Sequence, residues 1–339
     1  MNIGIASTIY GTPKGHSYVI RDMVKLLKET DHRIHMYRIL QNKITNEFPQ
    51  PDTLISNPDR VIPKENFEKW LKDNKIDWCI FMEYAQWWDE DHDKLQVCKD
   101  LGVKTAGFLV YEKLDWEKKE HYKLYTKIIS PTGFQTKLLR KNGLYNAVHC
   151  PWGVDKKELD AVSAPTRKDD KVVFYHCAGS GGVGARKNTE AVTKAYEMIR
   201  DETTELKISH LSIKAFGRNE IVGFMKYADV ILNASRWDTL GLNTLEANMC
   251  RRPVIVADTP PMDELVKNNV NGLRVSGNEI TSPNVTCPSF EVDIEDLAKK
   301  MNICKNKLIL DTLKNSSRKF AEQNFDWEKN KEHFLNIFG

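Results

Sequence analysis

The strongest constraint on this chain is an alternation of apolar, strand-like runs with segments of helical period, and the alternation occurs twice. In the first half NIGIAST is followed by YVIRDMVKLLKE, where Val19, Met23, Leu26 and Leu27 recur at helical spacing. RIHMYRIL, DWCIFME, VKTAGFLV, TKIIS and NAVHCPW read as further strands, with NFEKWLKDN and GFQTKLLRKNG as helices between them. The polar stretch KKELDAVSAPTRKDD, 156–170, has no clear apolar period and contains Pro165, which predicts a linker. The alternation then restarts with KVVFYH, NTEAVTKAYEMIRD, LSIKAF, EIVGFMKYA, DVILNAS, NTLEANMC, RPVIVAD and PMDELVKN. Such alternation builds parallel sheets covered on both faces. The expectation is two α/β domains of similar size, closed by a helical region from about Ile294 to the end.

The 339 residues suffice for two domains, each with its own core. A net charge of +3 is too small to point to a nucleic-acid or membrane partner. No apolar run approaches the roughly 18 residues of a spanning helix, and MNIGIASTIYG reads as a first strand rather than a signal peptide. Seven cysteines at irregular spacing, with no C-x-x-C, fit free thiols in a reducing compartment and predict a cytoplasmic protein.

Open α/β sheets bind ligands at the carboxyl ends of their strands, so the strand-to-helix loops are where chemistry is to be sought. HCAGSGGVGARKN, 176–188, has the spacing G-x-G-x-x-G at Gly179, Gly181 and Gly184. Such glycines let backbone N–H groups approach a phosphate. A dinucleotide site also needs an acidic residue ending the next strand; LSIKAF leads into Gly217 and Arg218 instead, and Ala185 excludes a Walker loop. Arg186 and Lys187 open the following helix, where cations oppose the dipole. They are either a solvated basic pair or the holders of an anion such as a diphosphate.

ASRWDTLGLNTLEANMCRRPVIVAD, 234–258, joins a loop to a helix that can aim Asp238 and Glu246 into one cleft, with amides near Gly241 facing a phosphate. Carboxylates suit vicinal hydroxyls, which donate two charge-assisted hydrogen bonds. The plainer reading has Asp238 or Asn243 capping the helix and Glu246 on its surface, and the residues by themselves lean towards it. WWDEDHDK, 87–94, holds a D-x-D of the kind that grips a divalent cation. Acidic residues are nevertheless expected before the helix KLQVCKDL for its dipole alone, and His92 does not complete a ligand set. In GTPKGHS, 11–17, Gly15 permits close approach to a ligand, while His16 or Ser17 reads as an N-cap.

At the second of these loops the chain resembles the retaining nucleotide-sugar glycosyltransferases of family 4, which have the two-domain GT-B fold. Their pattern is like E-G-F-G-L-x-x-L-E-A-M-A-C-G-x-P-V-I, and here Asp238 to Ile255 reads DTLGLNTLEANMCRRPVI. DELVKNNVNGLRV, with Glu264 and Gly272, is similar to E-x-V-x-x-x-x-N-G-x-x-V; CPWGVD resembles P-N-G-V-D; FDWEKN resembles the closing F-S-W-E. The resemblance is strong over about 150–275 and largely architectural before residue 130.

It implies an α/β, GT-B chain with a Rossmann-like acceptor-binding domain at 1–155 and a Rossmann-like nucleotide-sugar domain at 156–325. A helix at 326–339 would pack back on the first domain. The implied reaction moves a sugar from a UDP- or GDP-linked donor to a hydroxyl of a glycan or other acceptor, with retention, no metal and no cofactor. Lys187 would neutralise the departing diphosphate, Asp238 would hold donor-sugar hydroxyls, and Glu246 the ribose. Gly15, Arg186, Gly217, Arg218, Thr239, Leu240, Gly241 and Leu242 would complete the donor site, the last three through backbone amides.

Four positions depart from the family. Asp238 replaces Glu, and Arg251 replaces the glycine after Cys250. Gly182 stands where an arginine is usual, and Val110, Tyr111 and Glu112 stand where a histidine follows its strand. The β–α unit between Arg200 and LSIKAF also looks trimmed. Two other readings remain open: an NAD(P)-dependent oxidoreductase using the 179–184 loop, and a non-catalytic protein that binds a nucleotide sugar.

Overall fold

The computed structural model describes residues 1–7, 10–12, 15–39, 46–59, 61–82, 92–179, 186–210, 216–282 and 285–339. They form two units: 1–150 with 331–339, and 151–330. In the first, seven strands run parallel: β1 (Asn2–Ser7), β2 (Arg33–Ile39), β3 (Thr53–Asn57), β4 (Trp78–Met82), β5 (Lys104–Phe108), β6 (Lys127–Ser130) and β7 (Ala147–His149). Their order is β3-β2-β1-β4-β5-β6-β7. Strand β4 is buried along its whole length, as an interior strand of a doubly covered sheet must be. The helix Gly15–Lys28 turns Val19, Met23, Leu26 and Leu27 inward, the spacing already visible in the sequence. The chain's last residues belong to this unit: Phe338 sits edge-on to Trp78 at 5.5 Å, and Lys331 pairs with Glu29 at 2.9 Å.

The second unit holds a five-stranded parallel sheet of β8 (Val172–Gly179), β9 (Thr204–His210), β10 (Val230–Asn233), β11 (Val254–Ala257) and β12 (Gly272–Val275), in the order β12-β11-β10-β8-β9. Both faces are covered. Helices Thr189–Ile199 and Ile294–Ile303 pack Val192, Ala195, Leu297 and Met301 against one face. Met225 and Ala247, from helices Arg218–Tyr227 and Leu242–Met249, pack against the other. An antiparallel hairpin, β13 (Gly277–Ile280) with β14 (Ser289–Val292), follows the sheet. The unit begins and ends in paired chain: Val154 N–H donates to Phe325 O at 2.8 Å, Trp327 N–H to Val154 O at 3.3 Å, and Trp152 meets Trp327 edge-on at 4.7 Å. A Cβ at Gly153 would stand 3.0 Å from the Phe325 carbonyl oxygen, so glycine lets these segments lie together without a shift.

Three expectations change. The stretch 156–170 is not all linker: Asp155 caps a helix, Lys156–Ala161, by accepting from Glu158 N–H at 3.1 Å, and Leu159 is buried. Six residues make under two turns, too few for a period to show. The strand after helix Thr189–Ile199 is TELKISH, upstream of LSIKAF, whose residues 211–215 lie outside the described ones. Pro151–Asp155, expected with the first domain, and Asp326–Asn330, expected within a separate closing helix, fall in the second of these units.

Candidate functional site

The sheet order locates a site before any side chain does. From β8 the second sheet grows to β9 on one side and to β10 on the other. The crevice at the carboxyl ends of strands flanking such a reversal is where open α/β sheets take ligands. Strand β8 leads into Arg186 and Lys187, and β10 leads into Asp238.

These residues meet. Lys187 Nζ donates to Asp238 Oδ2 at 2.8 Å, and Arg186 Nη1 lies 3.8 Å from Oδ1. The Lys187 side chain is 8% exposed and that of Asp238 14%, so the pair is screened little but remains within reach of a ligand. Asn233 Nδ2 donates to Asp238 Oδ2 at 3.5 Å and to Thr244 Oγ1 at 3.3 Å, tying the carboxylate to the first turn of the next helix. Burial pushes the Asp238 carboxyl up, but the Lys187 and Arg186 charges outweigh it and hold it below its ordinary value. Both cations precede the helix Thr189–Ile199 rather than opening it, because Asn188 is its N-cap. Their counter-charge is supplied from within the protein, by Asp238.

A second carboxylate fixes the two loops together. Glu291 on β14 accepts from Asn188 Nδ2 at 2.8 Å and from Arg236 Nε at 2.5 Å, while Arg236 N–H donates to Arg186 O at 2.8 Å. Asn188 sits in the left-handed region at φ 54° and is buried. The sequence offered no motif for Glu291, which lies in a four-residue strand 103 residues from Asn188 and 55 from Arg236.

Gly241 starts the helix Leu242–Met249 at φ 59°, and among the described residues no side-chain hydrogen bond caps that end. The positive φ favours glycine, and a Cβ there would stand 2.9 Å from Leu265 Cδ1 and 3.0 Å from Met262 Cε, side-chain ends that would have to move. Asp238 and Asn243 therefore do not cap this helix; the carboxylate is taken by the cations instead. The uncapped N-terminus leaves first-turn amides beside the Lys187–Asp238 pair, an arrangement suited to an anion. Leu240 and Leu242 flank Gly241 half-buried, and Thr239 is buried.

Glu246 is not a surface residue either. It is 3% exposed, and Oε1 accepts from Arg218 Nη1 at 2.6 Å. Arg218 Nε reaches back to Glu158 Oε1 at 2.7 Å, which gives the supposed linker a part in the site. Arg218 opens the helix Arg218–Tyr227 after its N-cap Gly217, whose N–H donates to Glu220 Oε2 at 2.8 Å.

Gly15 begins the first helix of the first unit and is exposed. Ser17 is not an N-cap: it is buried within that helix and its Oγ accepts from Gly11 N–H at 2.9 Å, steadying the preceding loop. Val110, Tyr111 and Glu112 are all buried, with Tyr111 edge-on to Phe134 at 5.1 Å. Gly179 ends β8 at φ 73°, but residues 180–185 of the glycine loop, with Gly181, Gly182, Gly184 and Ala185, lie outside the described residues. So does the acidic run at 89–91, and the His92 side chain with it. Strand β9 is described as far as His210, and residues 211–215 beyond it lie outside the described residues.

Comparison with known proteins agrees with this geometry. Residues 165–283 match the family model described as glycosyl transferases, group 1. An uncharacterized glycosyltransferase of Methanocaldococcus jannaschii is 26% identical over 140 residues, covering 40% of this chain and 35% of that relative. The chain thus spans about a third of that relative's length. Among solved structures, a glycosyltransferase from Rickettsia africae superposes with a TM-score of 0.77 at 15% identity, covering 99% of this chain and 98% of the other. Anabaena HepE, solved in complex with UDP and glucose, has a TM-score of 0.72 at 14% identity, covering 99% of each chain. The fold of the chain is GT-B.

Proposed function

We propose that this chain is a retaining glycosyltransferase that moves a sugar from a UDP- or GDP-linked donor to a hydroxyl acceptor without a metal ion. The observation that carries the proposal is the Lys187–Asp238 pair, with Arg186 beside it, at an uncapped helix N-terminus. Two cations face one carboxylate there, so a positive charge remains for a diphosphate. The group 1 match over 165–283 covers these residues, and the UDP and glucose of HepE make UDP-sugars the first donors to test.

The roles follow from the chemistry of each group. Lys187, Arg186 and the amides at Leu240, Gly241 and Leu242 stabilise negative charge as it develops on the leaving diphosphate, the work a divalent cation does elsewhere. Asp238 stays ionised and accepts from donor-sugar hydroxyls. Glu246 has Oε1 occupied by Arg218, leaving Oε2, which no described residue engages, for the ribose. Gly217 and Arg218 border the nucleoside. The acceptor oxygen attacks the anomeric carbon on the face the diphosphate leaves; the carbon–phosphate-oxygen bond breaks, the new glycosidic bond forms, and the departing phosphate takes the proton.

The test is a thermal-shift screen across UDP, GDP and their sugars, followed by transfer assays with EDTA present. A ligand confined to the folded state must raise the melting temperature. Lys187→Met is expected to lower turnover by about 100-fold or more with the protein still folded. Full activity in that variant, or dependence on an added metal, would overturn the assignment. Donor binding with neither transfer nor hydrolysis would instead mark a binding protein.

A further inference from the structure

The helix Leu242–Met249 has the candidate donor site at its start and a separate cavity at its end. That cavity measures about 770 Å³ and opens around Cys250, in the second unit. Five cations line it, Lys226, Arg251, Arg252, Lys314 and Arg318, against two carboxylates, Asp160 and Asp311.

Two of the cations are neutralised. Lys314 pairs with Asp229 at 2.6 Å, and Arg318 forks onto Asp160 with both bonds at 2.8 Å. The other three meet only neutral oxygens among the described residues. Lys226 Nζ donates to the Val162 carbonyl at 2.5 Å, Arg252 Nη2 to the Lys226 carbonyl at 2.6 Å, and Arg251 Nη2 to the Asn315 side chain. Arg252 Nε is buried with no acceptor among the described residues. Burial pushes the Arg252 guanidinium below its ordinary value, with Asp229 pulling the other way and Arg167 and Arg251 adding to the fall. Arg251 is held at φ 64°, a backbone region that favours glycine.

A helix C-terminus attracts cations through its dipole, and that accounts for Arg318, which donates to the Met249 carbonyl. It does not account for an orphaned guanidinium N–H, or for three lining cations none of which makes an ion pair with a carboxylate among the described residues. Planar guanidinium forks beside a lysine suit the oxygens of a phosphate group. The volume lies within the usual range for small-molecule sites, so the ligand is larger than a bare ion.

We propose that this cavity binds a phosphate-bearing ligand of about the size of a sugar phosphate, through Arg251, Arg252 and Lys226. The phosphate can belong to a soluble phosphomonoester or to a lipid headgroup. At constant ionic strength, glucose 6-phosphate would be titrated calorimetrically, and phosphatidylglycerol vesicles would be tested by co-sedimentation. Both would be run on the wild type, on Lys187→Met, and on the double variant Lys226→Gln/Arg251→Gly. One probe is expected to bind the wild type and Lys187→Met alike, and the double variant roughly tenfold or more weakly; which probe does so identifies the source. Arg252→Gln gives the same decision should the double variant not fold. No binding by either probe, or binding that survives these substitutions, overturns the proposal. The Lys187→Met arm separates this outcome from failure of the donor site.

Discussion

Asp238 answers two cations, and that ratio governs how the site tolerates substitution. Removing Lys187 leaves Asp238 with Arg186 at 3.8 Å, whereas removing Asp238 strands a nearly buried ammonium. Breaking a fully buried pair costs about 3–5 kcal/mol; this one is partly solvated, so Asp238→Asn is expected to destabilise by about 2 kcal/mol. Lys187→Met should cost less than that, and urea unfolding of the two variants checks the order. His176 supplies a pH dependence. The Leu232 carbonyl only accepts, so Nδ1 carries the proton towards it at 3.0 Å, and Nε2 is left to accept from Thr189 Oγ1 at 3.0 Å. Burial lowers this imidazole from 6.5 to about 4. As pH falls the unfolded chain takes up the proton first. The stability this group contributes is therefore complete above pH 6.5 and lost between there and pH 4, about 3 kcal/mol in all. Wild-type stability should fall by that much more than that of His176→Gln across this window; parallel curves would refute it. Asp238 and Lys187 could be picked out of the sequence, but their mutual contact could not, because it depends on how two strands 50 residues apart are ordered in a sheet. The burial of Glu246 was hidden for the same reason: its partner Arg218 comes from a neighbouring helix.

Interior strands announce themselves more clearly than edge strands, although the edge strand Ala147–His149 was legible within NAVHCPW. Strands β1, β4, β8, β10 and β11 are apolar runs because both faces of the sheet are covered. TELKISH and TLISN lie at sheet edges, where half-exposed positions admit Glu205, Lys207 and Asn57, and the apolar signal disappears. The hairpin β13–β14 escaped notice likewise, with four residues to a strand. Glycines test how tightly these elements are joined. At Gly272 a Cβ would fall 2.1 Å from the Val254 carbonyl oxygen of the paired strand, which is backbone and cannot step aside. Gly143 has φ +82° but open space around it. Gly272→Ala is accordingly expected to cost about 3 kcal/mol or more, against about 1 kcal/mol for Gly143→Ala. Equal denaturation midpoints in the two variants would contradict this account.

At the scale of the whole molecule, the repeated alternation was enough to foresee two parallel-sheet units, but not where one passes into the other. Composition located the change at the polar stretch 156–170; the contacts locate it at Cys150–Pro151 and again at Asn330–Lys331. Polarity reports solvent, whereas a boundary is set by which residues pair. Residues 151–330 hold their own sheet, both of its helical layers, Lys187, Asp238 and Glu246. That fragment alone is expected to unfold cooperatively and to be stabilised by a nucleoside diphosphate, while transferring no sugar. A fragment that stays unstructured in circular dichroism would show the unit to be dependent on the rest of the chain. The pairing of Val154 with Phe325 and Trp327 around Gly153 has a further consequence. This unit's two ends are neighbours, so it behaves as a cassette: its incoming and outgoing chain can be cut and rejoined as one splice, and an exchange of the cassette would carry Lys187, Asp238 and Glu246 with it together.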